Sequence, residues 1–298
     1  MNCLLLYFTG TFNTRYLSNR LKEKLEAEGH VVTLHEIDPS RNYQLDYSNY
    51  QLLGLGYPIH GYAAPWAFLR FIRKQHFPKG LQTFIYKNSG ETEIANDASS
   101  KYVLRKLRRC GIHADNEYHF LMPYNIHFRF DEKLVKEMLQ KDEQLLCTLV
   151  HEVTHHIPNI QRPSLWANIV CSVVARPMYI AGPVNSFLYK VDPQKCINCN
   201  RCINTCPTRN IYRDASGRIR FHHHCLTCMR CSFCCPTAAI DIGFLQGWKV
   251  NGPYNFEKIQ QIPTEKPWIT ADTKGFFKCY IKSYQNIENR YNQLFGKP

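Results

Sequence analysis

The residues with the clearest capacity for chemistry are cysteines, which form two runs with identical spacing. Each run has gaps of two, two and three residues and ends in Cys-Pro: Cys196, Cys199, Cys202 and Cys206 before Pro207, then Cys225, Cys228, Cys231 and Cys235 before Pro236. Thiols at such spacing suit metal or redox chemistry in a reducing compartment. The N-terminus, MNCLLLYFTG, has no basic segment and no cleavage site of a signal peptide. We therefore expect a cytoplasmic protein whose cysteines bind metal.

The two runs resemble those of bacterial two-cluster ferredoxins, in which the fourth cysteine of each run serves the other cluster. The resemblance implies two ligand sets, namely Cys196, Cys199, Cys202 and Cys235 for one [4Fe–4S] cluster, and Cys225, Cys228, Cys231 and Cys206 for the other. Zinc is the main alternative because paired CxxC motifs also bind zinc. A zinc ribbon, however, has no use for the doubled pattern. We therefore predict two [4Fe–4S] clusters.

The second run contains one cysteine more than this pattern uses. Cys234 and Cys235 are adjacent, and Pro236 follows them. The duplicated spacing and the terminal proline identify Cys235 as the ligand. Cys234 is therefore predicted to be a bystander.

A second motif lies between the first strand-like run and the first helical pattern. It reads Thr9, Gly10, Thr11, Phe12, Asn13 and Thr14. In a doubly wound sheet this turn offers backbone N–H groups and a helix N-terminus to a phosphate, and the hydroxyls add donors without a lysine. A dinucleotide G-x-G-x-x-G and a Walker A loop are both absent.

This motif resembles the FMN phosphate loop of flavodoxins, Ser/Thr-Gly-Thr-x-Asn-Thr, with Phe12 where many members have glycine. We expect its side chain to point away from the phosphate. The resemblance implies that the next two loops flank the flavin ring. It adds as candidate FMN contacts Tyr57, Pro58, Ile59, His60, Gly61, Tyr62, Asn88, Ser89, Gly90 and Glu91. Tyr124, at the end of the fifth strand, is a further candidate near the ring.

Strand-like and helix-like patterns alternate along the first 125 residues. The short apolar runs span residues 3–8, 31–37, 51–57, 82–87 and 117–122. Amphipathic patterns separate them, including 64–75 and 97–111, and a longer helical pattern extends from 131 to about 157. We predict an α/β fold, a flavodoxin-like doubly wound parallel five-stranded sheet, followed by a small α+β two-cluster ferredoxin-like domain.

The patterns divide the chain into four parts. We expect a flavodoxin-like FMN-binding domain (1–157), a connector (158–189), a two-[4Fe–4S] ferredoxin-like domain (190–243) and a C-terminal tail packing on the others (244–298). The apolar stretch 165–189 is interrupted by Arg176 and Pro177, and each piece is shorter than the roughly 18 residues that a membrane span needs. We therefore predict no membrane span and a buried connector, with a membrane-surface helix as the alternative.

A competing motif, HEVTH at 151–155, matches the H-E-x-x-H pattern of zinc metallohydrolases. His151 and His155 would lie one helical turn apart, with Glu152 as a possible base. The motif lacks a third downstream ligand, and its helix is already needed to cover the sheet. It remains a remote alternative.

The formal net charge is +13. Two clusters with their thiolates and a flavin phosphate, at about −2 each, would leave about +7. Such a surface favours an acidic redox partner, whether a ferredoxin, a flavodoxin or a reductase. No basic run with interleaved aromatic residues indicates nucleic-acid binding.

Together these features predict an iron–sulfur flavoprotein that carries electrons between FMN and two [4Fe–4S] clusters. Because a cluster moves one electron and FMN one or two, such a protein couples one-electron and two-electron transfer. The alternative is a flavin-dependent reductase in which Tyr57, His60, Tyr62 or Tyr124 contacts a small organic acceptor.

Overall fold

The central sheet of the protein consists of five parallel strands in the order β2-β1-β3-β4-β5. A computed structural model describes residues 1–92, 94–160, 162–263 and 266–296. The strands are β1 Asn2–Tyr7, β2 Val31–Glu36, β3 Leu52–Pro58, β4 Gln82–Ser89 and β5 Asn116–Leu121. This is the flavodoxin-like order of a doubly wound sheet, so the predicted fold class is confirmed.

Helices cover both faces of the sheet. They are α1 Asn13–Ala27, α2 Trp66–Lys74, α3 Ile94–Asp97, α4 Lys101–Arg109 and α5 Glu132–Thr154. The helical pattern at 97–111 thus corresponds to α4, which is preceded by the single turn of α3. Residues 38–51, between β2 and β3, contain no helix.

Both faces are buried because β1 is apolar at successive rather than alternate positions. Side chains of a strand alternate between the two faces of its sheet. Leu5 therefore packs in a core with α1 and α5, whereas Leu4 and Leu6 pack in a second core with α2 and α4. A central strand covered on both sides requires this composition.

The connector forms one continuous helix, α6 Leu165–Ser186, which contains Pro177 and Pro183. The helix is continuous across Arg176 and Pro177, where the apolar stretch of the sequence is interrupted. The expectation of a buried connector is wrong for most of the helix, since only 22% of its most apolar 18-residue window is buried.

The ferredoxin-like segment contains two small antiparallel sheets, β6–β9 and β7–β8. Its elements are β6 Lys190–Val191, α7 Arg201–Thr205, β7 Ile211–Arg213, β8 Ile219–Phe221, α8 Arg230–Phe233 and β9 Ile240–Asp241. Left-handed backbone recurs in pairs at the same interval as Cys196 and Cys225: Asn198 and Thr227, Asn200 and Met229, Arg209 and Ala238. The segment is therefore a duplicated unit in backbone conformation as well as in cysteine spacing.

The C-terminal tail packs against the sheet domain. It contains the 3₁₀ helices Gly243–Trp248 and Gly275–Phe277, with α9 Phe256–Gln260 between them and α10 Lys278–Phe295 at the end. Tyr280 and Tyr284 of α10 enter the same core as α5. Positions 264, 265, 297 and 298 of the expected tail lie outside the described residues.

A buried ion pair connects the two strands at one edge of the sheet. Lys87 Nζ on β4 lies 2.5 Å from Glu117 Oε1 on β5, and both side chains are almost fully buried. The ammonium also donates to the carbonyl of Asn96 at 3.0 Å. Removing one partner of such a pair leaves an uncompensated buried charge.

Replacing Lys87 with Met should therefore lower the free energy of unfolding by about 3–5 kcal/mol. The apparent melting temperature, measured by circular dichroism, should fall by about 10 °C. A double variant, Lys87→Met with Glu117→Leu, removes both charges and should recover most of this loss. A double variant no more stable than the single one would contradict the role given to the pair.

Candidate functional site

A large cavity opens at the carboxyl ends of the strands, where doubly wound sheets bind ligands. Its volume is about 750 Å³. The loops after β1, β3, β4 and β5 contribute to its walls, together with Tyr179 of α6, Leu226 of the ferredoxin-like segment and Phe276 of the tail. Every part of the chain thus takes part in one site.

The predicted phosphate loop forms one end of this cavity. Thr9, Gly10, Thr11, Asn13 and Thr14 all line it. Helix α1 begins at Asn13, and the N–H groups of a first helical turn have no partner within the helix. Thr9 Oγ1 is buried and has no hydrogen-bond partner among the described residues. A buried hydroxyl of this kind is rare, and a phosphate oxygen would satisfy it.

Three side-chain hydrogen bonds hold the phosphate loop against its neighbours. Thr14 Oγ1 donates to Asn88 Oδ1 at 2.7 Å, and Asn13 Nδ2 donates to the carbonyl of Pro123 at 2.9 Å. Asn125 Nδ2 donates to Thr11 Oγ1 at 2.8 Å. The loops after β1, β4 and β5 are therefore fixed relative to one another without a ligand.

Phe12 occupies the position of the loop that has a left-handed backbone, with φ of +76°. A residue other than glycine adopts this conformation at a cost of about 1–2 kcal/mol. The Phe12 ring is not part of the described cavity lining. It stacks against the guanidinium groups of Arg15, at 4.9 Å, and Arg230, at 5.3 Å. These cation–π contacts offset part of the backbone strain.

Arg230 joins the phosphate loop to the ferredoxin-like segment. Its Nη2 and Nε donate to the carbonyls of Thr9 and Gly10, both at 2.6 Å, and its Nη1 donates to the carbonyl of Thr205 at 3.1 Å. The two segments touch here, since a Cβ atom on Gly10 would lie 2.9 Å from the carbonyl oxygen of Cys228. A side chain at position 10 would therefore collide with the ferredoxin-like segment.

The loops predicted to flank a flavin ring do line the cavity, with one exception. The lining includes Pro58, Ile59, His60, Gly61, Tyr62, Asn88, Ser89, Gly90 and Glu91. Burial lowers the pKa of His60 to about 4, so its ring is neutral at physiological pH. Tyr57 is the exception because it is fully buried in the core beside Phe68, with its hydroxyl 2.6 Å from Ser100 Oγ.

The cavity also has an aromatic wall, most of which sequence reasoning missed. The wall consists of Tyr124, His127, Phe128, Trp248 and Phe276, whose rings contact one another edge to face or at a tilt. They come from the loop after β5 and from the two 3₁₀ helices of the tail. Only Tyr124 belongs to a motif that the sequence analysis identified.

Asn96 is a second residue that sequence reasoning missed. It lies in α3, is fully buried and lines the cavity. Its Nδ2 donates to Glu91 Oε1 at 3.1 Å, whereas its Oδ1 accepts no hydrogen bond from the described residues. The cavity therefore holds a buried acceptor that a ligand N–H or O–H group would satisfy.

Two smaller cavities lie in the ferredoxin-like segment, and four cysteines line each. They are Cys196, Cys199, Cys202 and Cys235 in the first, and Cys206, Cys225, Cys228 and Cys231 in the second. Four cysteines around one space match the donor set of an iron–sulfur cluster. Within the described ranges, no three His, Cys, Asp or Glu side chains are grouped as ligands of a single metal ion.

The second cysteine cavity adjoins the large cavity. Cys225 and Leu226 line both. The first cysteine cavity shares no described lining residue with the large cavity, and its Cys199 is exposed.

Cys234 lines neither cysteine cavity. It is buried in the core that contains α1 and α5, together with Phe233. Burial raises the pKa of its thiol, so the side chain is a neutral core residue at physiological pH.

The HEVTH motif has a structural role at the end of α5. Glu152 is fully buried, and it accepts hydrogen bonds from Tyr118 Oη at 2.6 Å, Asn159 Nδ2 at 2.9 Å and Arg290 Nε at 2.6 Å. His151 and His155 stack on each other at 4.1 Å, and both remain partly or largely exposed. The Glu152 carboxylate therefore helps to hold α10 against α5.

Comparison with known proteins gives matches to two parts of the chain. A model of the 4Fe-4S binding domain matches residues 189–212. The flavodoxin of Streptococcus pneumonia TIGR4 is 14% identical, with a TM-score of 0.38 over 52% of this chain and 99% of its own. Flavodoxin 2 from Bacillus cereus is 15% identical, with a TM-score of 0.38 over 52% and 99%. Rubredoxin oxygen:oxidoreductase from Desulfovibrio gigas is 13% identical, with a TM-score of 0.35 over 52% and 36%. None of the curated proteins matches the sequence.

The strand order and the matched domain define the class of protein. The N-terminal half is a flavodoxin-like sheet, and a 4Fe–4S-binding segment follows it in the same chain. The chain thus combines the strand order of a flavodoxin-like fold with a segment that matches a 4Fe-4S binding domain.

Replacing Arg230 with Ala should weaken the expected binding of FMN because the two carbonyls of the phosphate loop lose the donor that fixes them. If FMN must then re-order the loop, the loss of a hydrogen bond to a charged group, about 1.5–3 kcal/mol, would raise the dissociation constant for FMN by about tenfold or more. Quenching of flavin fluorescence measures this constant.

Arg230→Lys keeps the charge but lacks the planar fork with which the guanidinium donates to both carbonyls, and should give an intermediate value. Arg218→Ala, in the exposed β7–β8 turn, is the matched control and should bind FMN like the wild type. Iron content reports whether the ferredoxin-like segment remains folded. Unchanged FMN affinity in Arg230→Ala would refute this role.

Proposed function

We propose that the protein carries electrons between FMN and two [4Fe–4S] clusters. The observation that supports this function most directly is the sharing of Cys225 and Leu226 between the large cavity and the second cysteine cavity. Two redox groups held in these spaces would be neighbours. The arrangement favours transfer within one chain over transfer between separate proteins.

The residues of each cavity fit the group assigned to it. The phosphate loop and the unpartnered Thr9 Oγ1 suit the phosphate of FMN. The loops at 58–62 and 88–91 suit its ring system. One cluster would bind to Cys196, Cys199, Cys202 and Cys235, and the other to Cys206, Cys225, Cys228 and Cys231.

When bound, the clusters supply one-electron transfer and FMN supplies one-electron or two-electron transfer. The chain positions these groups and controls their surroundings. Arg230 fixes the phosphate loop against the second cysteine run. Buried side chains, including Tyr189 and Met229, exclude water from the second cysteine cavity, which affects the redox potential of a cluster held there.

The exposed end of the ferredoxin-like segment is the proposed contact point for a redox partner. Cys199 is exposed there. Two basic residues lie next to Asn200, since Arg201 follows it in the chain and Arg213 Nη2 donates to Asn200 Oδ1 at 2.6 Å. Positive charge around an exposed redox site favours docking of an acidic partner.

The aromatic wall supports a second candidate function, reduction of a small organic acceptor. Tyr124, His127, Phe128, Trp248 and Phe276 provide flat apolar surface, and the described lining contains neither Lys nor Arg. Such a wall suits an uncharged, planar acceptor rather than an anionic one.

Variants of the adjacent cysteines test the cluster assignment and the main function together. Cys234→Ala should keep about eight iron atoms per chain, whereas Cys235→Ala should lose or convert one cluster. Iron and flavin quantitation after anaerobic purification, with electron paramagnetic resonance of the reduced protein, measures both. Equal iron loss in the two variants would overturn the assignment, and a colourless wild-type protein with zinc and no iron would overturn the function.

Trp248→Ala tests the second candidate. With menadione as an uncharged acceptor and a chemically reduced protein, kcat/KM should fall by about tenfold because part of the aromatic surface is lost. FMN content should not change. Phe295→Ala, which removes an exposed ring of α10, is the control. Electron transfer to menadione that does not saturate, and that Trp248→Ala leaves unchanged, would favour the carrier alone.

A further inference from the structure

Helix α6 buries its small side chains and exposes its large apolar ones. Ala167, Cys171 and Ala175 are fully buried against the sheet domain. Trp166, Val173 and Ile180 are 65%, 65% and 67% exposed. A helix that packs on one protein domain normally does the opposite, because large apolar side chains gain most from burial.

The exposed side chains follow one stripe along the helix. Trp166, Ile169, Val173, Ile180, Val184 and Phe187 recur at intervals of three, four or seven residues, which places them on the same side. Phe244, which is 81% exposed, lies beside this end of α6, since its backbone N–H donates to Asn185 Oδ1 at 2.9 Å. We call these seven residues the α6 face. Contiguous exposed apolar surface of this kind marks an interaction site.

Contacts on the opposite side keep α6 lying along the protein. Cys171 Sγ lies 3.1 Å from the carbonyl of Tyr62, and Tyr179 Oη donates to the carbonyl of Ala64 at 2.8 Å. Helix α6 is long and apolar enough to cross a membrane by length and composition. Because the side with Ala167, Cys171 and Ala175 is held against the sheet domain, the helix lies along the protein and its apolar stripe faces outward.

Positive charge lies beside the α6 face. Helix α4 contains five basic residues and no acidic one, and its Lys101 Nζ reaches α6, where it donates to Ser172 Oγ at 2.8 Å and to the carbonyl of Asn168 at 3.3 Å. Arg105 follows one turn later. Residues 158–191 contain Arg162, Arg176 and Lys190 but no Asp or Glu. The charged side chains of the connector itself are therefore all cationic, and Lys101 of α4 adds a further positive charge beside it.

We propose that the α6 face docks the protein on a lipid bilayer with anionic headgroups. The large apolar side chains would enter the region between headgroups and acyl chains, and the basic residues of α4 would lie over the headgroups. Trp166 near one end of the stripe suits the interfacial region, where tryptophan is enriched. Arg176 reaches the headgroups by extending its side chain. This proposal does not depend on the identity of the bound redox groups.

A second copy of the chain is the less favourable occupant. A twofold contact through the α6 face would bring Arg176 and the basic α4 helix close to the same groups of the partner copy. Juxtaposed like charges oppose such a contact. Anionic headgroups complement the same charges.

Co-sedimentation of the full-length holoprotein with vesicles tests the proposal. Vesicles of phosphatidylcholine and phosphatidylglycerol in equal parts should bind the protein, and vesicles of phosphatidylcholine alone should bind it more weakly. Raising sodium chloride from about 0.05 M to about 0.5 M should weaken binding to the anionic vesicles. The double variant Val173→Glu with Ile180→Glu should lose about tenfold or more in partition coefficient.

Two controls separate this effect from misfolding. Val31→Glu introduces a charge at an equally exposed apolar residue of edge strand β2 and should bind like the wild type. Iron and flavin content of the double variant should equal that of the wild type. If the double variant contains less iron or flavin, insertion can be tested with the stripe intact. Brominated lipid should then quench the fluorescence of the wild type more than that of Trp166→Phe.

Three outcomes would overturn the proposal. The first is a wild-type protein that stays in the supernatant with anionic vesicles. The second is a folded double variant that binds as the wild type does. The third is a wild-type dimer, found by sedimentation velocity without lipid, that the double variant converts to a monomer, since a second copy would then cover the α6 face.

Discussion

The hydrogen bonds of Arg230 hold the two halves of the site together. One guanidinium, buried at the start of α8, serves the carbonyls of Thr9 and Gly10 and also contacts Glu36 at the end of β2. Because those carbonyls point toward the ferredoxin-like segment, the peptide N–H groups on the other side of the loop are free to face a ligand. Glu36 in turn accepts from Arg15 at 2.9 Å, which also stacks on Phe12. The strained loop is thus held from two sides by charged groups.

Local sequence patterns predicted the sheet well, and they also predicted a loop between β1 and α1 that lines the cavity. Strand β1 is recognisable because a central parallel strand must be apolar on both faces, as Leu4 and Leu5 show. The phosphate loop is a contiguous motif whose position between β1 and α1 follows from the same pattern. Tyr57 was predicted to contact the flavin ring but does not line the cavity. It is still part of β3, whose side chains alternate between the two faces of the sheet, and it packs in the core beside Phe68.

The remaining parts of the site could not be predicted because they depend on tertiary contacts. The aromatic wall brings together His127, Trp248 and Phe276, which are far apart in sequence and share no local pattern. Asn96 is recognisable as a site residue only through its burial and its unpartnered oxygen. Helix α6 was predicted to be buried because its composition is apolar. An apolar composition indicates apolar surroundings, but it does not show whether the protein core or something outside the protein provides them.

The duplicated ferredoxin-like segment is symmetric in spacing but not in environment. Its second run lies against the phosphate loop, where Cys228 is buried and touches Gly10, whereas the corresponding Cys199 of the first run is exposed. Two sets of four cysteines with the same spacing thereby have different dielectric surroundings, which is one of the factors that set the potential of an iron–sulfur cluster. Packing one repeat against the sheet domain would therefore give clusters held by the two sets different potentials, without any change in the eight cysteines.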